Sequence, residues 1–224
     1  MPPAPAVSGP VPDPTPDVPY RTPKRLLDTA VAGTLLLLSS PVVLVVGVAT
    51  AVDMIAAQRD RGPFFYRERR ISRGRAFDLL KFRTLRLDAL AEMRAAGGHA
   101  RLYEADPGNL TWAGRRMLKP WYLDELPQLV NVLRGEISLV GPRPWPPEMV
   151  ERQVAAGRDY RNHVVAGLTG PAQVTKGGDQ LYEGLDLDYV HTCRTLGTWA
   201  LLRYDVGILA QTLRVIGRGE GLNF

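Results

Sequence analysis

An uncharged, mostly aliphatic run of 24 residues, from Thr29 to Val52, constrains this chain more than any other feature of its sequence. A straight helix of that length extends about 36 Å, at about 1.5 Å per residue, which is enough to cross the hydrocarbon of a bilayer. Ser39, Ser40 and Pro41 interrupt the run near its middle. Proline removes a backbone hydrogen bond there, and the two serine hydroxyls can supply partners for the carbonyls left without a donor.

Both flanks of the apolar run are basic. Lys24 and Arg25 precede it, and five arginines follow it, namely Arg59, Arg61, Arg67, Arg69 and Arg70. Because basic flanks favour the cytoplasmic side, both ends are expected on the same face of the membrane. A re-entrant hairpin over residues 24–58, broken at Ser40-Pro41, satisfies this expectation, and a kinked span is the equal alternative. We expect Lys24 and Arg25 to anchor the hairpin at anionic headgroups.

Composition divides the chain into three segments. Residues 1–23 hold nine of the nineteen prolines, which predicts an extended, disordered leader. Residues 24–58 form the proposed membrane hairpin, and residues 59–224 form a polar body. The mean hydropathy of −0.11 is therefore an average over unlike parts.

Several classes of function are disfavoured by composition. The single cysteine, Cys193, excludes an internal disulfide and a cysteine-based zinc cluster, and the three histidines lie far apart. The net charge of +5 comes from basic residues beside the apolar run, without the interleaved aromatic residues of a base-stacking surface. We therefore expect no nucleic-acid partner.

Two strand-like runs, at residues 64–69 and 76–83, flank the turn sequence Ser72-Arg73-Gly74-Arg75 and predict a β-hairpin. The hairpin is strongly basic and includes Lys81 and Arg83. These cations suit either a solvated face beside lipid headgroups or a phosphate site. Near the C-terminus, residues 199–216 have an amphipathic pattern that suits a core helix and an interfacial helix equally.

The segment from Leu123 to Leu129 is typical of a helix start, because Asp124, Glu125 and Pro127 all suit a first turn. Helix capping explains one carboxylate but not two in succession. A rigid Gly-Pro turn follows shortly afterwards and holds Arg143 in one direction. A fixed arginine beside carboxylates at a helix N-terminus suits an anionic substrate bridged by a metal ion.

Several of these motifs occur together in one family. From Lys24 to its C-terminus, the chain closely resembles the monotopic bacterial polyprenyl-phosphate phosphoglycosyl transferases, or initiating sugar transferases, in their compact form. The matching motifs are Lys24-Arg25-Leu26-Leu27-Asp28, Ser40-Pro41, Pro63-Phe64-Phe65, Lys81-Phe82-Arg83-Thr84, Leu123-Asp124-Glu125-Leu126-Pro127-Gln128 and Val140-Gly141-Pro142-Arg143-Pro144. The chain departs from the family at Val165-Ala166-Gly167, where Arg-Pro-Gly is usual.

The resemblance implies a reaction, a fold and a location. A sugar 1-phosphate passes from a UDP-sugar to polyprenyl (undecaprenyl) phosphate, UMP leaves, and glycan assembly begins at the cytoplasmic face of the bacterial inner membrane. The implied fold is α+β and mostly helical, with a re-entrant helix-break-helix, a β-hairpin and a cytoplasmic catalytic body carrying interfacial amphipathic helices. The expected partners are the UDP-sugar, the polyprenyl phosphate and membrane lipids.

The resemblance also implies residue roles. Asp124 is the nucleophile and forms a phosphosugar-aspartyl intermediate. Glu125 diverges from Asp124 by about 100° on a regular helix, so we assign it to magnesium binding or to orienting the site. Mg²⁺ is the implied cofactor, with Asp124 and Glu125 as its ligands. Arg143 is expected to bind phosphate, with Lys81 and Arg83 as further candidates.

Two alternative functions remain open: a non-catalytic membrane-anchored adaptor of the same fold, and an ordinary glycosyltransferase that releases UDP.

Overall fold

The apolar run lies in one long helix, α1 (Thr22–Ala56), with Pro41 inside it. The structure, a computed structural model, describes residues 17–57, 60–98, 100–175 and 179–218. Most of the predicted leader, and Arg59, lie outside these residues.

The helix break is not confirmed, because α1 continues through Pro41. Ser40 Oγ donates to the carbonyl oxygen of Leu37 at 2.7 Å, which is the acceptor that an amide at position 41 would use. The predicted partner for the orphaned carbonyl is thereby confirmed.

The N-terminal half of α1 packs against the polar body. Lys24 is buried, and its Nζ lies 2.6 Å from Asp205 Oδ2 and 3.1 Å from the carbonyl oxygen of Val140. Arg25 donates to carbonyl oxygens at the end of the helix that follows the acidic pair. The expectation that Lys24 and Arg25 reach lipid headgroups is therefore wrong, because acceptors within the body satisfy both.

The C-terminal half of α1 contacts the body as well. Val46 is fully buried in a cluster with Phe82 and Leu118, and Asp53 Oδ2 accepts a hydrogen bond of 2.7 Å from the amide of Ala113. Large apolar side chains on the middle of the helix remain exposed, namely Leu35, Leu37, Leu38, Leu44 and Val45. Within the described residues, α1 is the one helix long and apolar enough to cross a membrane.

The predicted β-hairpin is confirmed. Strands β1 (Phe65–Ser72) and β2 (Arg75–Phe82) pair in antiparallel fashion. Arg73 and Gly74 join them with φ values of 48° and 68°. Positive φ at both central residues is the requirement of a tight type I′ turn, which matches the twist of the strands.

A second small sheet positions the turn that carries Arg143. Strand β3 (Ser138–Val140) pairs in parallel with β4 (Gly167–Thr169). The two chains touch so closely that a Cβ added at Gly167 would lie 2.1 Å from the amide nitrogen of Gly141. Glycine is therefore required at this crossing, which fixes the start of the Gly-Pro-Arg-Pro turn.

Helices make up most of the remaining described chain, so the mostly helical α+β class is confirmed in outline. They are α2 (Leu87–Ala95), α3 (Ala100–Glu104), α4 (Gln128–Arg134), α5 (Pro147–Ala155), α6 (Pro171–Val174), α7 (Asp179–Thr195) and α8 (Thr198–Gly217). The main core joins α1, α4, β3, α7 and α8. On α8, Leu201 and Ile208 are buried in that core, while Trp199 and Leu213 are exposed.

Candidate active site

The acidic pair lies on a short 3₁₀ turn, Leu123–Glu125, which precedes α4. Tyr122, directly before the turn, has a φ of 54°, which is uncommon for a bulky residue. The chain reverses there, and Asp124 becomes only 2% exposed. Pro127 lies at the start of α4 and needs no amide partner there. The predicted helix start is confirmed, with a 3₁₀ turn ahead of it.

Asp124 is held by a lysine. Lys119 Nζ lies 3.0 Å from Asp124 Oδ2 and 2.6 Å from Glu104 Oε2. The other oxygen of Glu104 accepts a hydrogen bond of 2.6 Å from Thr84 Oγ1. The ammonium group of Lys119 is thus fixed between two carboxylates, one of which is itself anchored.

Burial and charge act on Asp124 in opposite directions. Burial raises the pKa of this carboxyl above its ordinary value, and the neighbouring Lys119 charge limits the rise. Burial also lowers the pKa of Lys119, but Asp124 and Glu104 more than offset this and raise it overall. Lys119 therefore stays protonated and favours the carboxylate form of Asp124, which is the form that a nucleophile needs.

Glu125 faces a different set of partners. Its Oε1 lies 3.8 Å from Lys81 Nζ and 4.0 Å from an Arg143 nitrogen. Lys81 also lies 3.7 Å from Glu68 Oε2, and Glu68 pairs in turn with Arg70. Asp124 is paired with Lys119, whereas Glu125 lies near Lys81 and Arg143, and these different partners agree with the predicted divergence of the two side chains.

The structure brings together four of the five predicted polar site residues, namely Asp124, Glu125, Lys81 and Arg143. It places Arg83 differently: its guanidinium is buried and donates to the carbonyl oxygens of Pro63, Leu85 and Asp60. Phosphate binding by Arg83 stays a prediction, and the contacts indicate a structural role. The predicted hairpin break at Ser40-Pro41 lies in the exposed middle of α1, outside this cluster.

Sequence reasoning missed four charged residues of the site. We name the whole group the charged cluster, and it consists of Glu68, Arg70, Lys81, Glu104, Lys119, Asp124, Glu125 and Arg143. A signal for Glu68 was available in the hairpin, because a two-residue turn pairs Glu68 with Leu79 and puts Lys81 diagonally opposite on the same face. Lys119 follows an irregular π-type turn, Gly114–Leu118, and has no such signal.

The charged cluster has four carboxylates and four cations, so its charges balance. A diphosphate that enters this cluster brings uncompensated negative charge, which a divalent cation can neutralise. The donor set fits Mg²⁺, which typically takes one or two carboxylates and completes its shell with phosphate oxygens and water. Glu125 has only long ion pairs, and Glu68 Oε2 is buried without a hydrogen-bond partner in the described chain. Across the described ranges, no three His, Cys, Asp or Glu side chains form a closed metal site.

Comparison with known proteins gives the chain clear relatives. Residues 19–219 match a family described as bacterial sugar transferase. A UDP-glucose:undecaprenyl-phosphate glucose-1-phosphate transferase of Caulobacter vibrioides is 34% identical over 211 residues, which cover 89% of this chain and 72% of the relative. The exopolysaccharide production protein ExoY of Rhizobium meliloti is 33% identical over 216 residues, covering 88% of this chain and 87% of the relative.

Other relatives are much longer than this chain. The undecaprenyl-phosphate galactose phosphotransferase of Salmonella typhimurium is 32% identical over 212 residues, which cover 88% of this chain but only 41% of the relative. This chain therefore spans less than half of the Salmonella protein.

Proposed function

The chain belongs to the bacterial sugar transferase family, and we propose that it transfers a sugar 1-phosphate from a UDP-sugar to undecaprenyl phosphate and releases UMP. One observation carries the proposal: a buried aspartate, Asp124, is held by a lysine at the edge of a cluster suited to a diphosphate. The names of the relatives support the lipid acceptor and the transferred sugar phosphate. The charged cluster supports the reaction because it combines a buried carboxylate with cations that can bind a diphosphate.

In the first half-reaction, an oxygen of Asp124 attacks the phosphorus that carries the sugar. A bond forms between that oxygen and the phosphorus, and the bond to the UMP oxygen breaks, so the electron pair leaves with UMP. The product is an acyl phosphate, in which the phosphosugar is bonded to a carboxyl oxygen of Asp124. A covalent intermediate of this kind divides one difficult transfer into two easier ones.

In the second half-reaction, a phosphate oxygen of the lipid attacks the same phosphorus. The bond to Asp124 breaks, and the carboxylate returns to Lys119. The lipid then carries the sugar through a diphosphate link. Because both displacements occur at one phosphorus, the same cations serve both steps.

Phosphoryl transfer depends mainly on positioning and on compensation of charge. Lys81 and Arg143 flank Glu125 and are the cations nearest to it in the cluster. We assign both to the phosphoryl oxygens of the donor, where a fixed arginine is suited to bidentate contact. Glu125 then orients these cations rather than acting as a second nucleophile.

We assign Mg²⁺ to Asp124 and Glu125, with Glu125 as the principal ligand, because it leaves Asp124 available for attack. When bound, the ion supplies positive charge that neutralises the donor diphosphate and assists departure of UMP. The balanced charges of the cluster support this assignment, because its four cations are already matched by its four carboxylates.

The same proposal includes a membrane location at the cytoplasmic face. Both halves of α1 contact the same polar body, while the apolar side chains between them are exposed. A helix that bends at Pro41 and returns to the side from which it entered accounts for both facts. Serine hydroxyls that satisfy the carbonyls near Pro41 make such a bend tolerable in lipid.

Exposed aromatic residues support the same location. Trp112 and Trp121, on either side of the π-type turn, are 52% and 73% exposed, and Trp199 at the start of α8 is 74% exposed. Tryptophan is enriched at membrane–water interfaces because it combines an apolar ring with a polar N–H. Leu118, between the first two, packs against Val46 of α1, which connects this surface to the membrane helix.

The test is product analysis with a panel of UDP-sugars, Mg²⁺ and undecaprenyl phosphate in detergent or vesicles. We expect UMP release with at least one donor, and loss of release in Asp124→Asn. Release of UDP identifies an ordinary glycosyltransferase instead. If no donor yields UMP or UDP while the protein still binds vesicles, the adaptor is the better account.

A further inference from the structure

The backbone of Arg143 is held by a second arginine that lies outside the charged cluster. Arg161 is buried, and its Nη1 donates a hydrogen bond of 2.6 Å to the carbonyl oxygen of Arg143. Its Nη2 lies 2.6 Å from Asp186 Oδ2 on α7, and its Nε lies 3.0 Å from Gln153 Oε1 on α5. The Arg161 guanidinium therefore connects α5 and α7 to the backbone of Arg143, the proposed phosphate ligand.

The same guanidinium also packs against an aromatic ring. It lies 4.0 Å from the ring centroid of Trp145, two residues after Arg143. The carbonyl oxygen of Trp145 in turn accepts a hydrogen bond of 2.9 Å from the amide of Ile71 on β1. Arg161 thus holds the Arg143-Pro144-Trp145 segment by both a hydrogen bond and a cation–π contact.

We propose that Arg161 is a positioning residue that acts through Arg143: it fixes the backbone from which Arg143 reaches the donor phosphate. The proposal rests on the proposed function, because it requires Arg143 to bind phosphate. A planar fork with several donors can hold three acceptors and stack on a ring at once, whereas a lysine ammonium cannot reproduce that geometry. A shift of about 1 Å in a positioning group can cost about 100-fold in rate.

A nearby ion pair provides a matched control. Arg158 Nη1 lies 2.7 Å from Glu183 Oε2, and this pair connects the same loop to the same helix, α7. Arg158 lies three residues before Arg161, and Glu183 lies three residues before Asp186. The ion pair of Arg158 with Glu183 does not include Arg143. Arg158→Met therefore removes a connection between the loop and α7 without removing the support of Arg143.

The test is a double-mutant cycle on kcat/KM for UMP release, with KM and kcat also measured separately. We expect Arg161→Met to lower kcat/KM by about 10- to 100-fold, mainly through a higher KM for the UDP-sugar, because a displaced Arg143 binds phosphate less well. Arg161→Lys restores little of this loss. In an Arg143→Met background, Arg161→Met has no further effect, and Arg158→Met changes kcat/KM by less than about twofold in either background.

An equal effect of Arg161→Met in both backgrounds, or an equal effect of Arg158→Met, overturns the proposal, because either result indicates general destabilisation. Should Arg161→Met fail to fold, Asp186→Asn is the second variant, and we expect from it a smaller loss that also disappears in the Arg143→Met background. If the wild-type protein releases no UMP from any donor, the proposed function fails and this proposal falls with it. If the wild type releases UMP but the effects of Arg161→Met and Arg143→Met on kcat/KM are additive, the Arg161 proposal alone is overturned.

Discussion

Lys119 Nζ lies 3.0 Å from Asp124 Oδ2, and the same ammonium lies 2.6 Å from Glu104 Oε2. Asp124 is almost completely buried, which raises the pKa of its carboxyl, and the Lys119 charge opposes this rise. The pair therefore favours the carboxylate form of a side chain in such a place. In the proposed mechanism it also leaves a cation beside the phosphoryl group once Asp124 has formed its acyl phosphate.

The pH dependence of the first half-reaction tests this relationship. Burial raises the pKa of Asp124, so the rate is retained above that raised value and is lost as the pH falls through it. In Lys119→Met the opposing charge is gone, and the pKa rises further. A hydrogen bond to a charged group contributes about 1.5–3 kcal/mol, so we expect the acid limb of kcat/KM for UMP release to move upward by about 1–2 pH units.

Lys119→Arg is the matched control, because it keeps the charge and we expect it to keep the acid limb of the wild type. An unchanged acid limb in Lys119→Met would show that Lys119 does not control the charge of Asp124.

Arg83 and Lys81 lie two residues apart on the chain and are expected to respond in opposite ways to substitution. Arg83→Met removes the guanidinium that donates to three carbonyl oxygens, at about 1–3 kcal/mol for each buried group, so we expect a lower Tm. Lys81→Met is expected to keep its Tm and to lose about 100-fold or more in kcat/KM. Thermal unfolding and UMP release, measured on both variants, separate the two roles. An Arg83→Met variant with an unchanged Tm and no UMP release would instead support phosphate binding by Arg83.

The buried pair between Lys24 and Asp205 predicts a large effect on stability. Removing one partner of a buried ion pair costs about 3–5 kcal/mol, because the other charge is left uncompensated. We expect Lys24→Met to lower the free energy of unfolding by about that amount, and Lys24→Met with Asp205→Leu to recover most of it. The exposed pair of Arg69 and Asp78 is the control, and its loss should cost at most about 1 kcal/mol. Equal losses for the two pairs would contradict the role of Lys24 in docking α1.

The topology of α1 can be read by chemical labelling. We expect cysteines introduced at Ser8 and Arg61 to be labelled together by an impermeant maleimide in inverted membrane vesicles, and neither to be labelled in intact cells. The natural thiol adds little background, because burial raises the pKa of Cys193 to about 11 and keeps it protonated at neutral pH. Labelling of the Ser8 position from outside the cell, with the Arg61 position protected, would show a full span.

The features predicted correctly from sequence are those that local chemistry determines. The hairpin depends on alternation around Arg73-Gly74, and the helix start depends on Asp124, Glu125 and Pro127 within a few residues. The hydrogen-bond partner of the Leu37 carbonyl oxygen, near Pro41, is also local, because it is the hydroxyl of Ser40.

The contacts that sequence could not supply are those between distant segments. Lys24 and Asp205 are 181 positions apart, so nothing near Lys24 shows that it is buried in an ion pair rather than placed at headgroups. Arg83 occurs in one of the motifs that carry the family resemblance, yet its guanidinium is buried and donates to the carbonyl oxygens of Pro63, Leu85 and Asp60. Lys119 reaches Asp124 only because an irregular turn and a residue with positive φ, Tyr122, fold the segment back.

The covalent role of Asp124 can be tested by mass spectrometry of the intact protein. After incubation with the productive UDP-sugar and Mg²⁺, without lipid acceptor, we expect a mass increase of one sugar phosphate with about one equivalent of UMP released. Peptide analysis should place the adduct on Asp124, Asp124→Asn should show none, and undecaprenyl phosphate should remove it. UMP release that requires the lipid acceptor, with no adduct at any time, would show that Asp124 does not form a covalent intermediate.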